Sequence, residues 1–597
     1  MADIIIEENK DITSLTTFKV PAKARYYAEY KSADELLRIS RTDVFINNEV
    51  LNLGGGSNLL FIHDFDGLVL HSRIDGILRY EKNPETVYAI AGAGVCWDTF
   101  VDWCLNHGLG GVENMAGIPG TVGASAVQNV GAYGAEAKDV IYSVECFDTL
   151  TRKTRRFTNE ECHFGYRESF FKHEGKERYI VLKVCFKMNP SDIAANLNYG
   201  PLRDLKQRLG HNPTIREVAQ EIRVIRKNKL PDPSEIGSAG SFFKNPVIGR
   251  YHYESLCRQV GEEISAHKID EHHMKLSAAW LIDHAGMKGF RIGGAQVWDK
   301  QPLVIANMGN ATAKDIASVA EAVRSAVRKK YYINLKPEAN YIDTSLSITV
   351  LGSGTSKGVP EVGCECAVCT STDPHDKRTR ASLLVQTHGM KILIDAGPDF
   401  RQQALDNKIM DLDAVLITHI HFDHIGGIED LRPFCAYGDL PLYVRKDVDT
   451  SLRERLAYCF NTHPYPGVPK FDMRIIDNYP FYIDGLKIIP IEVLHGSKPI
   501  YGYRIGDFAY ITDAKHISEI EKEKLYGLRL LIVNALRDQE HFAHFTIKEA
   551  LELVNEVKPE KVYFTHMNHD AGKHNELDDR LPDNVHPAYD GLQIHLD

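Results

Sequence analysis

Residues 335–358 read LKPEANYIDTSLSITVLGSGTSKG, and the chain obeys different rules on either side of them. Ahead of them, AKDIASVAEAVRSAVRKKY (residues 313–331) carries apolar residues at helical spacing and predicts a long helix. Pro337 and the pair Tyr341-Ile342 then impose an extended path. From Ser347 to Leu351 an apolar, β-branched run stopped by glycines opens a new strand. The polar Asp343-Thr344-Ser345 between them is too brief for a flexible tether, so the stretch predicts two domains joined closely and in lasting contact.

A chain of 597 residues can hold several compact units, and 43% hydrophobic with 25% charged residues is ordinary globular composition. The net charge of -11 offers no basic footprint, so neither nucleic acid nor an anionic membrane is expected as a partner. No run is long enough to span a bilayer, and MADIIIEENKDITS lacks the features of a secretory signal, which predicts a cytoplasmic protein. Eleven cysteines, mostly scattered, argue for reduced thiols; the exception is the cluster Cys364, Cys366, Cys369.

Upstream of residue 335, glycine-rich segments carry the chemistry. The strand-like Val50–Leu53 runs into Gly54, Gly55, Gly56, Ser57 and Asn58, where successive backbone N–H groups can turn towards an anion; a tight turn alone is the alternative. The segment AGIPGTVGASAVQNVGAYGAE (residues 116–136) places small residues where backbone can lie against a large flat or phosphorylated ligand, or else forms a packing loop.

In order, NKDITSLTTFKV, LGGGSNLL, AGIPGTVGASAVQNVGAYG, GYRESFFK, KLPDP, GSFFKNP, LIDHAGMKGFRIGGAQV and PEANYI resemble the UDP-N-acetylenolpyruvoylglucosamine reductases, the MurB family, over residues 9–343. The resemblance implies an α+β FAD-binding domain of the vanillyl-alcohol-oxidase type (residues 1–190). A substrate-binding domain (191–343) follows, whose last strand returns to the FAD domain. It implies FAD as cofactor, NADPH as electron donor and a UDP-sugar enolpyruvyl ether as substrate, reduced to UDP-N-acetylmuramate for peptidoglycan precursor synthesis. The cofactor residues it implies are Gly54, Gly55, Gly56, Ser57, Asn58, Gly117, Gly120, Thr121, Gly123 and Ala124.

The reaction delivers a hydride to an enolpyruvyl double bond and then a proton to the carbon next to the carboxylate. Arg167 matches the arginine that holds the carboxylate and stabilises developing charge, although Glu168 beside it allows an ordinary ion pair. Ser241 matches the proton donor, a weak acid suited only to a strongly basic intermediate. Glu338 matches the third catalytic residue, beside Arg167 or the serine. Tyr133, Tyr199, Lys229, Asn245 and Gln296 match substrate contacts, with Lys229 a pyrophosphate partner. The NYGPL segment containing Tyr199 places the chain with the longer family type, whose substrate loop closes over the nucleotide.

Downstream, AVLIT (residues 414–418) reads as a buried strand ending in HIHFDH. Alternate residues of an extended stretch share a face, so His419 and His421 can grip one ion, and the following turn brings Asp423 and His424 to a second. His495, Asp513 and His566 recur at the ends of later apolar runs. The cysteines of GCECAVC need a fourth ligand, and His569, three residues beyond His566, completes a closed Cys3His pattern for structural zinc. GSGTSKG imitates a dinucleotide fingerprint, but its last glycine falls one residue late and a zinc loop follows it.

These residues resemble the αββα metallo-β-lactamase fold over residues 347–597, after a joint at 344–346. The resemblance implies one metal on His419, His421 and His495, a second on Asp423, His424 and His566, Asp513 bridging them and taking part in catalysis, and Asp395 orienting from behind. Two divalent metals, zinc or manganese, suit phosphodiester hydrolysis. With the cysteine loop, the likeness narrows to the PhnP phosphoribosyl cyclic phosphate phosphodiesterases and implies a small phosphodiester substrate. His544 matches the histidine assisting cleavage, with His541 the weaker alternative, and residues 447–469 are expected to border the opening. A tRNA 3′-processing nuclease and a metal-stabilised scaffold without turnover remain the alternatives.

Overall fold

The computed structural model describes residues 4–83, 86–194, 196–343, 345–460 and 467–596. Thr344 of the expected joint and residues 461–466 of the expected border segment lie outside them. The chain divides into two compact units, Met1–Asp343 and Thr344–Asp597.

In the first unit a four-stranded sheet runs in the order Glu7–Asp11, Lys23–Tyr30, Phe65–Ser72, Val50–Leu53, the first pair antiparallel and the others parallel. A five-stranded antiparallel sheet, ordered Lys153–Thr158, Ile141–Asp148, Tyr179–Met188, Thr86–Gly92, Ile77–Asn83, lies next in the unit. Its apolar side packs on helix Trp97–Asn106, burying Trp97, Phe100 and Phe186 together. Thr121 starts helix Val122–Gln128 by accepting from Ala124 N at 3.4 Å.

The later part of this unit is built on a four-stranded antiparallel sheet of Gly237–Ser241, Val304–Asn307, Ala295–Val297 and Arg291–Ile292. The helical spacing read at residues 313–331 forms helix Ala313–Tyr331, opened by a capping box between Thr312 and Asp315. Its buried stripe of Ile316, Val319, Val323 and Val327 covers the sheet. The chain then returns, as strand Asn340–Ile342 pairs in parallel with Leu59–Phe61 immediately after the first glycine loop.

The second unit has four layers, helices outside two facing sheets. One sheet has seven strands, from Phe471–Ile475 through Leu440–Val444, Ala414–Leu416, Met390–Ile394, Ser382–Thr387 and Leu346–Gly352 to Gln593–Leu596. The other contains Leu486–His495, Lys498–Ile505, Phe508–Ile511, Leu530–Asn534 and Lys561–Thr565. Alternation sends Ile348, Val350 and Ile392 inward against Tyr503, Tyr510 and Ile532. Their neighbours Leu351, Leu384 and Leu393 face outward, where Phe400 and Val448 cover them. Helix Ile547–Val557 covers the other sheet through Ala550, Leu553 and Val557. Truncating Leu553 to alanine would cost about 2–5 kcal/mol, the usual loss for a buried leucine. Among the described residues no helix is long and apolar enough to cross a membrane.

Candidate active sites

In the first unit the two glycine-rich segments meet and enclose a cavity of about 500 Å³. A Cβ on Gly55 would stand 2.7 Å from Gly120 Cα, so only glycine allows this approach. Gly54, Gly55, Gly56, Ser57, Asn58, Gly120, Thr121, Gly123 and Ala124 all line the cavity. Arg167, Ser241, Glu338, Tyr133, Tyr199 and Lys229 line it too.

Arg167 and Glu338 are far apart in sequence and joined in space, Nε donating to Oε1 at 2.7 Å. Two carbonyls, of Asn129 and Gly131, accept from the other guanidinium nitrogens at 3.4 and 2.6 Å. Arg167 reaches them from a left-handed backbone, φ 60°, a conformation that non-glycine residues rarely hold without a local reason. The adjacent Glu168 turns away to Lys244 Nζ at 2.7 Å and His173 at 2.8 Å, so the alternative of a local Arg167–Glu168 pair does not form. Glu338 is fixed at its backbone, its N–H donating to Phe242 O at 2.7 Å and its carbonyl accepting from Asn58 Nδ2 at 2.8 Å. This links Glu338 both to the glycine loop and to the residue after Ser241.

Three of the sequence-derived residues stand elsewhere. Gly117 lies behind the cavity wall, its N–H donating to Asp98 at 2.7 Å and its carbonyl accepting from Arg226 Nε at 3.1 Å. Asn245 Oδ1 accepts from Ala278 N at 2.9 Å at the start of helix Ala278–His284. Gln296 donates to Asp299 at 3.1 Å. The sequence reading missed Arg226 and Lys275. Arg226 precedes Lys229 by three residues on the same helix, and that spacing is the signal that could have found it. Lys275 lies 3.2 Å from the ring centre of Tyr166, and burial together with Arg167 pushes its ammonium down to about 8.

In the second unit the ligand candidates converge from strand ends onto a cleft of about 750 Å³. His419, His421, His495 and Asp513 form one group, with ligand atoms within 4.8 Å of one another; Asp423, His424, Asp513 and His566 form a second by the same measure. Asp513 belongs to both. Its carboxylate lies 3.5 Å from His419 Nε2, 3.5 Å from His424 Nε2 and 3.0 Å from His566 Nε2. Asp395, Asp513 and His566 all take positive φ at strand ends, which aims each side chain across the sheet tops. Gly397 and Gly427 make the close approach that seats the loop between them: a Cβ on Gly397 would lie 2.1 Å from Asp423 O.

Asp395 holds the metal loop from behind. Its carboxylate accepts from Thr418 N and Oγ1, each at 2.8 Å, and from His424 Nδ1 at 2.7 Å, which turns His424 Nε2 to the cluster. His495 Nδ1 likewise donates to the carbonyls of Asp513 and Ala543 at 2.9 and 3.0 Å. The fit to cations rests on what these contacts leave over: His419 Nε2 and His424 Nε2 are buried without a hydrogen-bond partner beside carboxylates. Burial pushes His421 down to about 4 and lowers His419, which keeps both imidazoles in the neutral form that ligates. His424 instead is raised against burial by Asp423 and Asp513, a sign of how strongly the carboxylates call for positive charge.

Cys364, Cys366, Cys369 and His569 form a third group, His569 Nδ1 standing 3.4 Å from Cys364 Sγ and 3.2 Å from Cys366 Sγ. Glu361 lies 3.4 Å from the other ring nitrogen of His569. A hydrogen bond from Cys369 N, then His569, pulls the Cys366 thiol down to about 6. Thiolates and an imidazole at this spacing suit zinc. His544 stacks on His566 with centroids 4.9 Å apart and has a buried, unpartnered Nδ1, whereas His541 is more exposed and its Nδ1 accepts from Ala543 N at 3.2 Å. The cleft also takes in Arg537, on the loop with His544, which the sequence reading did not single out.

Three family descriptions match the chain: FAD binding domain over residues 24–151, UDP-N-acetylenolpyruvoylglucosamine reductase C-terminal domain over 232–342, and Beta-lactamase superfamily domain over 390–567. A UDP-N-acetylenolpyruvoylglucosamine reductase from Neisseria gonorrhoeae is 43% identical over 345 residues, 58% of this chain and 99% of that protein. The chain belongs to the UDP-N-acetylenolpyruvoylglucosamine reductase family. A second reductase, from Flavobacterium johnsoniae, is 38% identical over 338 residues, 56% of this chain and 99% of that protein. Among solved structures, a diphosphatase of the PhnP family is 40% identical, covers 42% of this chain and 97% of its own, and has a TM-score of 0.40.

The first unit is therefore the reductase unit, with FAD-binding and substrate domains, and the second has the metallo-β-lactamase fold. The reductase relatives are covered almost end to end by little more than half of this chain, so the metallo-β-lactamase unit is an addition to that family's length.

Proposed function

We propose that the chain carries two enzymes: an NADPH-dependent reductase of UDP-N-acetylenolpyruvoylglucosamine and a dinuclear metal phosphodiesterase acting on a small, cyclic-phosphate-type diester. The reductase reading rests above all on the 2.7 Å pair of Arg167 and Glu338 in the cavity that also holds Ser241 and the glycine cradle. FAD, when bound to that cradle, supplies the hydride that NADPH provides. Arg167, already oriented by two carbonyls, holds the substrate carboxylate and stabilises the negative charge that gathers on it as the double bond is reduced. Ser241 Oγ gives its proton to the adjacent carbon, and Glu338 keeps the guanidinium aligned while hydride and proton arrive. Lys229 meets the pyrophosphate, and Tyr133 and Tyr199, in edge contact at 6.2 Å, flank the sugar nucleotide.

In the hydrolase unit, Asp513 between the two ligand groups is the observation that supports a two-metal site. Two divalent metals held there would supply an activated water as nucleophile and neutralise charge on the phosphoryl oxygens. His419, His421 and His495 would hold one ion and Asp423, His424 and His566 the other, with Asp513 shared. His544 stands where it can hydrogen-bond the departing oxygen, and the Cys3His group takes a structural zinc.

Purified full-length protein tests both halves. NADPH oxidation should require the enolpyruvyl sugar nucleotide; oxidation independent of it would sink the reductase assignment. A chromogenic phosphodiester should be cleaved only with manganese or zinc, and Asp423→Ala should abolish that cleavage. No metal-dependent cleavage would leave the second unit a scaffold.

A further inference from the structure

We infer that strand Ile77–Asn83 of the first unit is an interface with a second copy of this chain. Two such strands pair antiparallel about a two-fold axis at Tyr80, joining two five-stranded sheets edge to edge. The strand ends its sheet, with Thr86–Gly92 on one side and no strand on the other among the described residues. Every residue from Leu78 to Asn83 is exposed. An edge strand presents a row of unpaired backbone N–H and C=O groups, and one this long and this open is a template for another strand.

The order of its side chains selects a second copy as the occupant. Tyr80 lies opposite Tyr88, and Leu78 opposite Ile90, on the face turned away from helix Trp97–Asn106. Arg79 and Glu81 lie opposite Ala89 and Val87, which are buried on the helix side. A two-fold axis perpendicular to the sheet keeps like faces together, so the register must centre on a residue. Centred on Tyr80, it sets Arg79 opposite Glu81 of the second copy and Glu81 opposite that copy's arginine, and opposite charges facing each other stabilise a strand pair. Centred one residue to either side, it would set Arg79 or Glu81 against itself, which is destabilising. Within one chain Arg79 Nε donates to Glu81 Oε1 at 2.6 Å, so both charges are already held at the edge.

The apolar face agrees with this register. Leu78 is 67% exposed, Tyr80 57% and Tyr142 52%, far more than packing within the chain accounts for. Tyr80, Tyr88 and Tyr142 form a row with successive ring centroids 6.2 and 5.0 Å apart. In one chain that row stops in water at Tyr80. In the pair Tyr80 meets its own copy, and the row continues across the axis as cross-strand aromatic contact.

Sedimentation velocity of the full chain tests this across about 1–100 μM, the range expected of an interface smaller than the standard size. Wild type should pass from monomer to dimer, and the amides of residues 78–82 should gain hydrogen-exchange protection as it does. Arg79→Glu and Glu81→Arg each set like charges together on both sides of the axis and should weaken the dimer by on the order of tenfold or more. Mixed in equal amounts, the two variants should associate again, since each then faces the opposite charge, although the pair inside each chain stays broken. That recovery separates an interface from mere support of the strand. Tyr80→Lys, which sets like charges at the axis and leaves Arg79 and Glu81 alone, should weaken the dimer too and decides the matter should a charge-reversed strand fail to fold. A chain that stays monomeric throughout, a dimer that these variants leave intact, or a mixture of folded variants that does not reassociate would overturn the inference.

Discussion

The two sites solve the problem of assembling charge in opposite ways. In the hydrolase unit the ligand candidates sit at the tops of adjoining strands, and His419, His424, Asp513 and His566 are all buried. Asp395 and the backbone carbonyls at His495 then lock the imidazoles from behind. In the reductase unit the charges are half-open, and the central pair spans segments remote in sequence, closed only when strand Asn340–Ile342 returns beside Leu59–Phe61. A rigid cluster with unsatisfied donors demands cations. A cavity lined by Arg167, Arg226 and Lys229 instead suits large anionic ligands. The difference predicts that mutations in the hydrolase site change metal occupancy first, and those in the reductase site change turnover first.

The largest effect is expected from Asp513→Ala, which removes a ligand from both metal groups. Phosphodiester cleavage should fall on the order of 10³-fold or more, and metal analysis should show both ions of the cluster lost while the Cys3His zinc remains. Reductase turnover measured on the same sample should be unchanged. Next comes Arg167→Lys, where an ammonium replaces the fork that binds two carbonyls and Glu338. The kcat of the reductase should drop by about 10²–10³, with flavin content intact, as when a charge-stabilising donor is lost. Asp395→Asn is milder: an amide cannot accept as strongly from both Thr418 and His424. Metal affinity should weaken by about 10–100-fold and be restored by excess metal, seen in titrations of activity against zinc or manganese.

How far each site was legible in the sequence follows the same contrast. HIHFDH declares itself because its spacing alone brings four candidate ligands to one strand end, and His495, Asp513 and His566 each follow an apolar run whose burial the composition shows. The helix at residues 313–331 and the strand opening near 347 were readable from periodicity for the same local reason. Arg167 and Glu338 could be named only through likeness to a family, since nothing local says that a Glu after Pro337 meets an Arg in another segment. Gly117, Asn245 and Gln296, named through the same likeness, lie outside the residues lining the cavity. Each stands in a matching motif, yet Gly117 is gripped by Asp98 and Arg226, Asn245 starts a helix, and Gln296 meets Asp299. Lys275 was invisible because its interest lies in a ring beneath it, contributed by Tyr166 from a distant loop.

Lys275 gives the smallest and most discriminating prediction. Burial, and then Arg167, depress its ammonium to about 8 from an ordinary value near 10.5. In the folded protein it therefore loses its proton as pH rises through about 8, and the positive field around Arg167 weakens. The kcat/KM for the anionic sugar nucleotide should decline above pH 8 by a few-fold, and Lys275→Met should remove that limb while lowering the plateau beneath it. Stability moves the other way. Between about pH 8 and 10.5 the unfolded chain binds this proton and the folded chain does not, so this group's contribution to stability rises with pH across that window. Activity and unfolding midpoints measured from pH 7 to 10 should thus carry opposite slopes from one residue. A wild-type activity limb that persists in Lys275→Met would assign it to another group and would make the reductase cavity less sensitive to its surroundings than the comparison with the locked metal cluster requires.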